Sequence, residues 1–484
     1  MTAGGSAPHD LTALEQAAAL RAGELDPVEL VEHYEARAER LDAVVGAFAT
    51  RTPERALEQA RAARARLAAA RAGGELAELA ARAPLFGVPV PVKDLHAVAG
   101  VRMRAGSRVV DVVPEVDDHV VRRLAAAGAT MTGKTSAPEL GLPCYTEPDV
   151  APPARSPWDL ARSAGGSSGG AAAAVAAGLA PVAHGSDGGG SIRIPASACG
   201  LVGLKPSRGR VSGGPLPGAV GDLGVHGPLA RTVADAAALL DAMAGAWPGD
   251  PFAAPPLPPG TTFLAAAGRP PGRLRVGRHR VPPVPGAVVA PEVVAAYDAA
   301  SALLEDLGHD VEEVPAPFGP DVVPHFEVLW SVSALQVPLP PAAEPLLRPL
   351  TRWLRERGRA VSGLGLAQAQ GAGRTAARRA LEATAAYDVV LTPTLAQLPA
   401  PVGGLRDDDD PAADFAAQKA FTPFTSTANL TGQPALSLPL GTTAQGLPVG
   451  VQLLGRYGEE ALLLALGGQL EAAAPWRGRV PALW

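Results

Sequence analysis

Cysteine and lysine are the scarce side chains of this 484-residue chain, and each scarcity excludes something. Two cysteines, Cys144 and Cys199, cannot staple a fold of this length, so a disulfide-framed scaffold is excluded and a reducing, cytoplasmic setting is expected. No stretch of about 18 uninterrupted apolar residues occurs, which predicts no membrane span. The start, MTAGGSAPHD, lacks a basic residue followed by an apolar run, so no secretory signal is expected. Net charge is −6 and the basic residues are scattered, which argues against nucleic acid as a partner. The nine histidines form no HExxH or other metal-type spacing, so no metal and no cofactor are expected; His96 and His184, near the loops of interest, stay secondary candidates. Lysine occurs four times (Lys93, Lys134, Lys205 and Lys419) against 38 arginines. Arginine does most of lysine's electrostatic work but cannot shed a proton near neutrality, so each remaining lysine is worth a question.

What is present is apolar material and backbone freedom: 47% hydrophobic residues, 55 glycines and 50 prolines. That is enough for a large core and excludes a disordered chain. Asp26-Pro27-Val28-Glu29 reads as a helix start, N-cap then proline at the first turn, for a helix to about Ala43. A second helix is expected from about Pro53 to Ala70. The run GVPVPVKDL (87–95) suits a short buried strand ending at Lys93. Helix HVVRRLAAAGA and strand TMTGKTS follow, an alternation that predicts an α/β layered fold. Residues 249–297 are proline-rich around one strand candidate and read as a long surface excursion. Asp407 to Asp410 reads as a solvated loop. PALSLPLGTTAQGLPVGVQLLG, near the end, predicts a hairpin on a sheet.

The densest signal is GGSSGGAAAAVAAGLAPVAHGSDGGGSIRIPA (165–196). A phosphate loop needs a lysine and a hydroxyl closing the glycine run, and here alanines follow Gly170. A hydrolase nucleophile elbow is the stronger competitor, because Gly165 to Gly170 satisfies G-x-S-x-G twice. An elbow must follow a buried strand, and RSPWDLARSA is polar and broken by proline. A flexible linker would not lead at once into a second glycine turn and the apolar LVGLKP. The remaining chemistry is a nucleophilic serine with a base other than histidine. Lys93 fits, since burial at a strand end disfavours its ammonium, although a lysine snorkelling to solvent reads equally well from the residues alone.

These stretches, PVPVKDL, the glycine-serine run continued as SACGLVGLKPSRGRV, and TSTANLTGQPALSLPLG, resemble the amidase signature family of serine hydrolases. The resemblance is strong over about 84–212, moderate over 418–483 and weak over 213–415. It implies an α/β fold with a large mixed, twisted β-sheet covered by helices on both faces. It also implies one amidase domain over 1–484: a signature core, a variable substrate-side region (213–415), and a C-terminal sheet and helix. A Ser–cisSer–Lys triad is implied, with Lys93 as base, Ser167 as bridging serine after a cis peptide and Ser191 as nucleophile. The amides of Gly188, Gly189, Gly190 and Ser191 then form the oxyanion hole. Ser168, Asp187 and Arg193 brace the site, and Arg193 is also within reach of substrate. Leu142, Cys144 and Tyr145 are expected in the acyl pocket. For Phe326, Leu329, Trp330 and Leu335, ordinary helix packing is the default and lining of a substrate channel the alternative. Gly188 departs from the larger side chain many members carry, which puts the rigidity of its loop in doubt.

Within the family, TEPDVAPPARSPWDLARSAGGSSGG and the C-terminal stretches are similar to nylon-oligomer hydrolases that open 6-aminohexanoate cyclic dimers, and to urethanases. The expected partner is a small or oligomeric amide or carbamate, neutral and largely apolar; the sequence leaves a homodimer open. Two alternatives stand beside this: the glutaminase subunit of a tRNA-dependent amidotransferase, disfavoured by SIRIP where SIRQP is usual, and a G-x-S-x-G esterase.

Overall fold

A computed structural model describes residues 7–215 and 220–484. Its strands fall into three sheets. Phe48–Arg51 (β1), Val92–Lys93 (β2) and Gly133–Thr135 (β3) form a small sheet in the order β1-β3-β2. Arg155–Ser156 (β4) and Asp159–Ser163 (β5) make an antiparallel ribbon. Val182–Asp187 (β6), Val202–Lys205 (β7), Val225–Ala230 (β8), Arg275–Arg278 (β9), Asp310–Glu313 (β10), Val389–Pro393 (β11), Ala435–Thr442 (β12) and Pro448–Gly455 (β13) build one mixed sheet. Its order is β10-β9-β11-β13-β12-β7-β8-β6. β9 runs parallel to β10 and β11, and the other neighbours pair antiparallel. Among the described residues no helix is long and apolar enough to cross a membrane.

Period-two alternation sorts the side chains between the sheet's faces. Val451 and Leu453 of β13 join Leu436 and Leu438 of β12 in the largest apolar core, with Leu463, Leu464 and Leu466 of the helix Glu460–Ala473. Gln452, between them, serves the opposite face, where the helix Arg193–Cys199 packs on β12 and β13. The helix Gly169–Ala176 is buried on every side, as its composition GGAAAAVA demands. Its small residues are needed for closeness: a Cβ on Gly170 would stand 2.4 Å from the Ser136 amide nitrogen and 2.5 Å from the Ala47 carbonyl oxygen.

The helix starting at Pro27 is capped by Asp26, which accepts from the Val28 and Glu29 amides, and it runs to Val45 before Gly46 turns left-handed. The second helix spans Pro53–Gly73. The strand expected over 87–95 shrinks to β2, because Pro89 and Pro91 have no N–H to give a ladder. The polar ribbon β5 does precede the serine cluster, yet it pairs with β4 and bridges to Pro401, outside the main sheet. The 249–297 segment is not merely an excursion: it supplies β9, an inner strand of the large sheet, and the start of the helix Pro291–Asp306. Asp407 to Asp410 is exposed as expected, with Asp410 capping the helix Pro411–Phe421.

Two glycine substitutions should move stability in opposite directions. Gly170→Ala forces a methyl against backbone and should destabilise by at least about 1–3 kcal/mol. Gly371→Ala lies in the exposed helix Gly363–Thr384 with nothing within 4 Å of the new methyl, and should stabilise by about 0.5–1 kcal/mol. Thermal midpoints of the two variants against wild type check both signs.

Candidate active site

Lys93 closes β2, which lies parallel to β3 with Lys93 opposite Thr135. The prolines that shorten this strand also free its carbonyls: Pro91 accepts from the His184 amide of β6, seating the small sheet on the large one. The Lys93 side chain is fully buried. Its Nζ donates to Ser167 Oγ at 2.9 Å and to the Ser186 carbonyl at 3.1 Å. Burial lowers its pKa to about 7, against a partly opposing pull from Asp187. The other buried lysines differ. Lys134 pairs with Asp94 at 2.9 Å, and Lys205 donates to the Pro206 carbonyl with its pKa also lowered to about 7 by burial. Only Lys93 among them meets a serine hydroxyl.

Ser167 follows a cis peptide bond after Gly166, as the resemblance implies. Glycine is required there because a Cβ would lie 2.9 Å from the Tyr145 backbone nitrogen and carbonyl carbon. Ser168 precedes the buried helix. Its Oγ donates to the Ser186 carbonyl, the acceptor also used by Lys93, and its amide donates to the Ser191 carbonyl. One peptide of β6 thus ties both serine clusters to the lysine.

The second cluster wraps a buried carboxylate. Asp187 accepts from the amides of Gly190 (2.8 Å) and Ile192 (3.1 Å), from Arg193 Nε and Nη2, and from Asn429 Nδ2. Burial alone would raise its pKa, but the Arg193 guanidinium and these hydrogen bonds hold it well below the usual carboxylate range. Arg193 spends its remaining donors on the Thr425 carbonyl, Gln452 and Asn429. It is fully buried and absent from the cavity wall, and its contacts hold the loop. Gly190 has φ +131°, and a Cβ there would fall 2.3 Å from Thr425 Oγ1. Its amide is already taken by Asp187, which leaves Gly188, Gly189 and Ser191 as the free amides of the expected oxyanion hole.

Ser191 opens onto a largely apolar cavity. Of the three residues expected in the acyl pocket, Leu142 and Cys144 line this cavity and Tyr145 does not: it is fully buried and gives its hydroxyl to Asp414. Phe326 and Trp330 stack and line the cavity over Gly188 and Gly189. A Cβ on Gly188 would sit 3.5 Å from the Trp330 ring, so the departure at Gly188 is filled by a tryptophan and the loop is held on that side. Leu329 does not line the cavity: it is buried with Leu223 and Ala369 in a cluster on which Phe326 and Trp330 also pack, and Leu335 lies outside the cavity, against Gly358. Thr425, Asn429, Gln452 and the cavity-lining Val284 are parts of the site for which the sequence gives no role; the first two lie in FTSTANLTG, a stretch whose resemblance could have pointed to them.

Behind Lys93 the fold gathers histidines that are far apart in sequence. His96, His184 and His226 place ring nitrogens within 4.8 Å of one another, the grouping among the described residues nearest to a metal-ligand set. Both nitrogens of His184 are engaged, with the Lys93 amide (3.4 Å) and with His226 Nδ1 (3.0 Å), while His96 pairs with Asp118. Burial pushes all three below the usual histidine range, so they stand neutral behind the lysine.

A buried lysine on one serine and a second serine in a glycine loop at a cavity is the arrangement expected of an amidase signature enzyme. The amidase family matches residues 29–464, and the chain belongs to that family. It is 36% identical over 495 aligned positions to the 6-aminohexanoate-cyclic-dimer hydrolase of Paenarthrobacter ureafaciens, covering 97% of this chain and 96% of that protein. A solved structure of 6-aminohexanoate cyclic dimer hydrolase superimposes with TM-score 0.89 at 34% identity, over 99% of this chain and 100% of that one. A bacterial aryl acylamidase of the amidase signature family follows with TM-score 0.84 at 26% identity, over 97% and 98% of the two chains.

Asp187→Asn keeps the shape of the loop's anchor and removes its charge. Arg193 is then buried without a counter-ion, and stability should fall by about 3–5 kcal/mol. Urea unfolding with an unchanged m-value checks this, and a loss under about 1 kcal/mol would contradict the bracing role.

Proposed function

We propose that this amidase hydrolyses the C–N bond of a neutral, largely apolar amide or carbamate, with Ser191 as nucleophile, Ser167 as proton bridge and Lys93 as base. The observation that carries the reading is Lys93: fully buried, with a pKa near 7, and 2.9 Å from Ser167 Oγ beside the loop that presents Ser191. In water a lysine near pH 7 is neutral in roughly one molecule in a few thousand. At a pKa of about 7 half the molecules hold the free amine.

The neutral amine accepts the Ser167 hydroxyl proton as Ser167 takes that of Ser191, and Ser191 Oγ attacks the substrate carbonyl carbon. The oxyanion is held by the amides of Gly188, Gly189 and Ser191, each such donor worth about 3 kcal/mol in the transition state. The proton then passes back through Ser167 to the leaving nitrogen, the C–N bond breaks, and an acyl-Ser191 ester remains. Water adds to that ester by the same relay and releases the acid.

The cavity wall supports this substrate class. Leu142, Ile194, Phe326, Trp330 and Phe415 surround the serine, and the charged Glu327 and Lys419 in the wall are paired with each other. The likeness to 6-aminohexanoate-cyclic-dimer hydrolases supports oligoamides within this class. Glutamine, with its charged amino acid end, suits this wall poorly. The esterase alternative loses its support because Ser167 meets a lysine, and the ribbon before it is outside the main sheet.

Since the base is the unprotonated amine, kcat/KM for an anilide should rise with pH and level off above about 7. Lys93→Arg should be as inactive as Lys93→Ala, because guanidinium stays protonated. Near-normal turnover in Lys93→Arg would overturn the mechanism. A sulfonyl fluoride should label Ser191, read by peptide mass spectrometry; labelling of Ser167 or Ser168 with Ser191 untouched would revive the elbow reading.

A further inference from the structure

A second, smaller cavity adjoins the first, and Pro283 and Thr427 belong to the walls of both. The turn after β9 spans the pair: Val281 lines the second cavity, Pro283 both, and Val284 the first. Unlike the first cavity, the second has no carboxylate, ammonium or guanidinium in its wall. Its hydroxyls are committed: Thr384, Thr392 and Thr427 each donate to a backbone carbonyl. His279 is the exception. It is 9% exposed, and its buried Nδ1 has no partner among the described residues. Burial holds its pKa near 4, so the ring is neutral and offers one donor and one acceptor.

We infer that this second cavity is a distal subsite: an elongated uncharged substrate extends from Ser191 past Pro283 and Thr427, and a neutral hydrogen-bonding group on its far end, such as a second amide, pairs with His279. An apolar chain gains from leaving water for the wall, and the neutral His279 ring is a polar side chain of that wall that offers a hydrogen bond to a group on the chain's far end. An amide suits either tautomer of His279, since it carries both a donor and an acceptor. The inference rests on the amidase reading above and adds to it the length and the second polar group of the substrate.

The test uses three anilides: a short acetyl anilide, one carrying a 6-acetamidohexanoyl chain, and an alkyl anilide of the same length without the second amide. The chain is attached on the acyl or the amine side of the scissile bond, and the form with the higher kcat/KM is used. Val281 stands at the rim and is 60% exposed, so Val281→Trp obstructs the cavity without disturbing a core. It should lower kcat/KM for both long anilides about tenfold and leave the short one within about twofold. His279→Leu should lower the diamide about tenfold relative to its alkyl counterpart. Parallel changes in all three substrates, or none, in Val281→Trp would overturn the subsite while leaving the amidase reading intact. Failure of the wild-type enzyme to cleave any anilide would instead overturn the amidase reading itself.

Discussion

Asp187 and Arg193 share a buried ion pair at 2.9 Å, and the rest of the catalytic loop is arranged around it. Two opposite charges without solvent are expensive to hold unless every donor and acceptor is met. Here they are met from three directions. The loop's own amides at Gly190 and Ile192 close on the carboxylate, Asn429 bridges both partners, and Gln452 reaches Arg193 from the middle of β13. Satisfying the pair therefore fixes residues 187–193 relative to the large sheet. It also consumes the Gly190 amide, which determines which neighbouring N–H groups remain to face a substrate.

The same absence of water acts on Lys93 with the opposite outcome. Lys134, one strand away, keeps a carboxylate at 2.9 Å. Lys93 has only a hydroxyl and a carbonyl in hydrogen-bond reach; Asp187 favours its ammonium, but burial outweighs that pull, and the neighbouring histidines are neutral. A lowered pKa is not sufficient to mark a site, however. Lys205 is depressed to a similar value and faces only the Pro206 carbonyl. What separates the two is the partner: an amine on a serine hydroxyl has a proton to take, and an amine on a carbonyl has none.

These contrasts mark what can be read from the chain alone. Lys93, Ser167 and Ser191 stand out because each lies in a short stretch of unusual composition, and the elements around them follow from local caps and periodicity. Gln452 and Asn429 do not, since they meet Arg193 from 259 and 236 residues away. Among the apolar candidates, Phe326 and Trp330 are one helical turn apart and share the face toward the cavity, while Leu329, rotated about 100° from Trp330, is buried with Leu223 and Ala369 behind them. Tyr145 fails as a pocket residue because its hydroxyl finds Asp414 in the interior. The proline-rich segment misleads most: prolines mark its irregular ends, but the strand between them is an inner member of the sheet.

The division of labour in the site follows from where its parts come from. The proposed reacting groups lie between residues 93 and 191, Lys93 at the end of β2 and the two serines in turns leading into buried helices. The cavity walls come mainly from the turn at 281–284, from the helix Val323–Ser333 and from residues 415–430. Walls of this kind can change without touching the ion pair, which suits a scaffold serving many amides. The Lys93 amine does not line that cavity: it is buried against Ser167 and the Ser186 carbonyl, so its lowered pKa is set by the interior. Changes in the walls can therefore alter which substrate fits while leaving the amine's environment as it is.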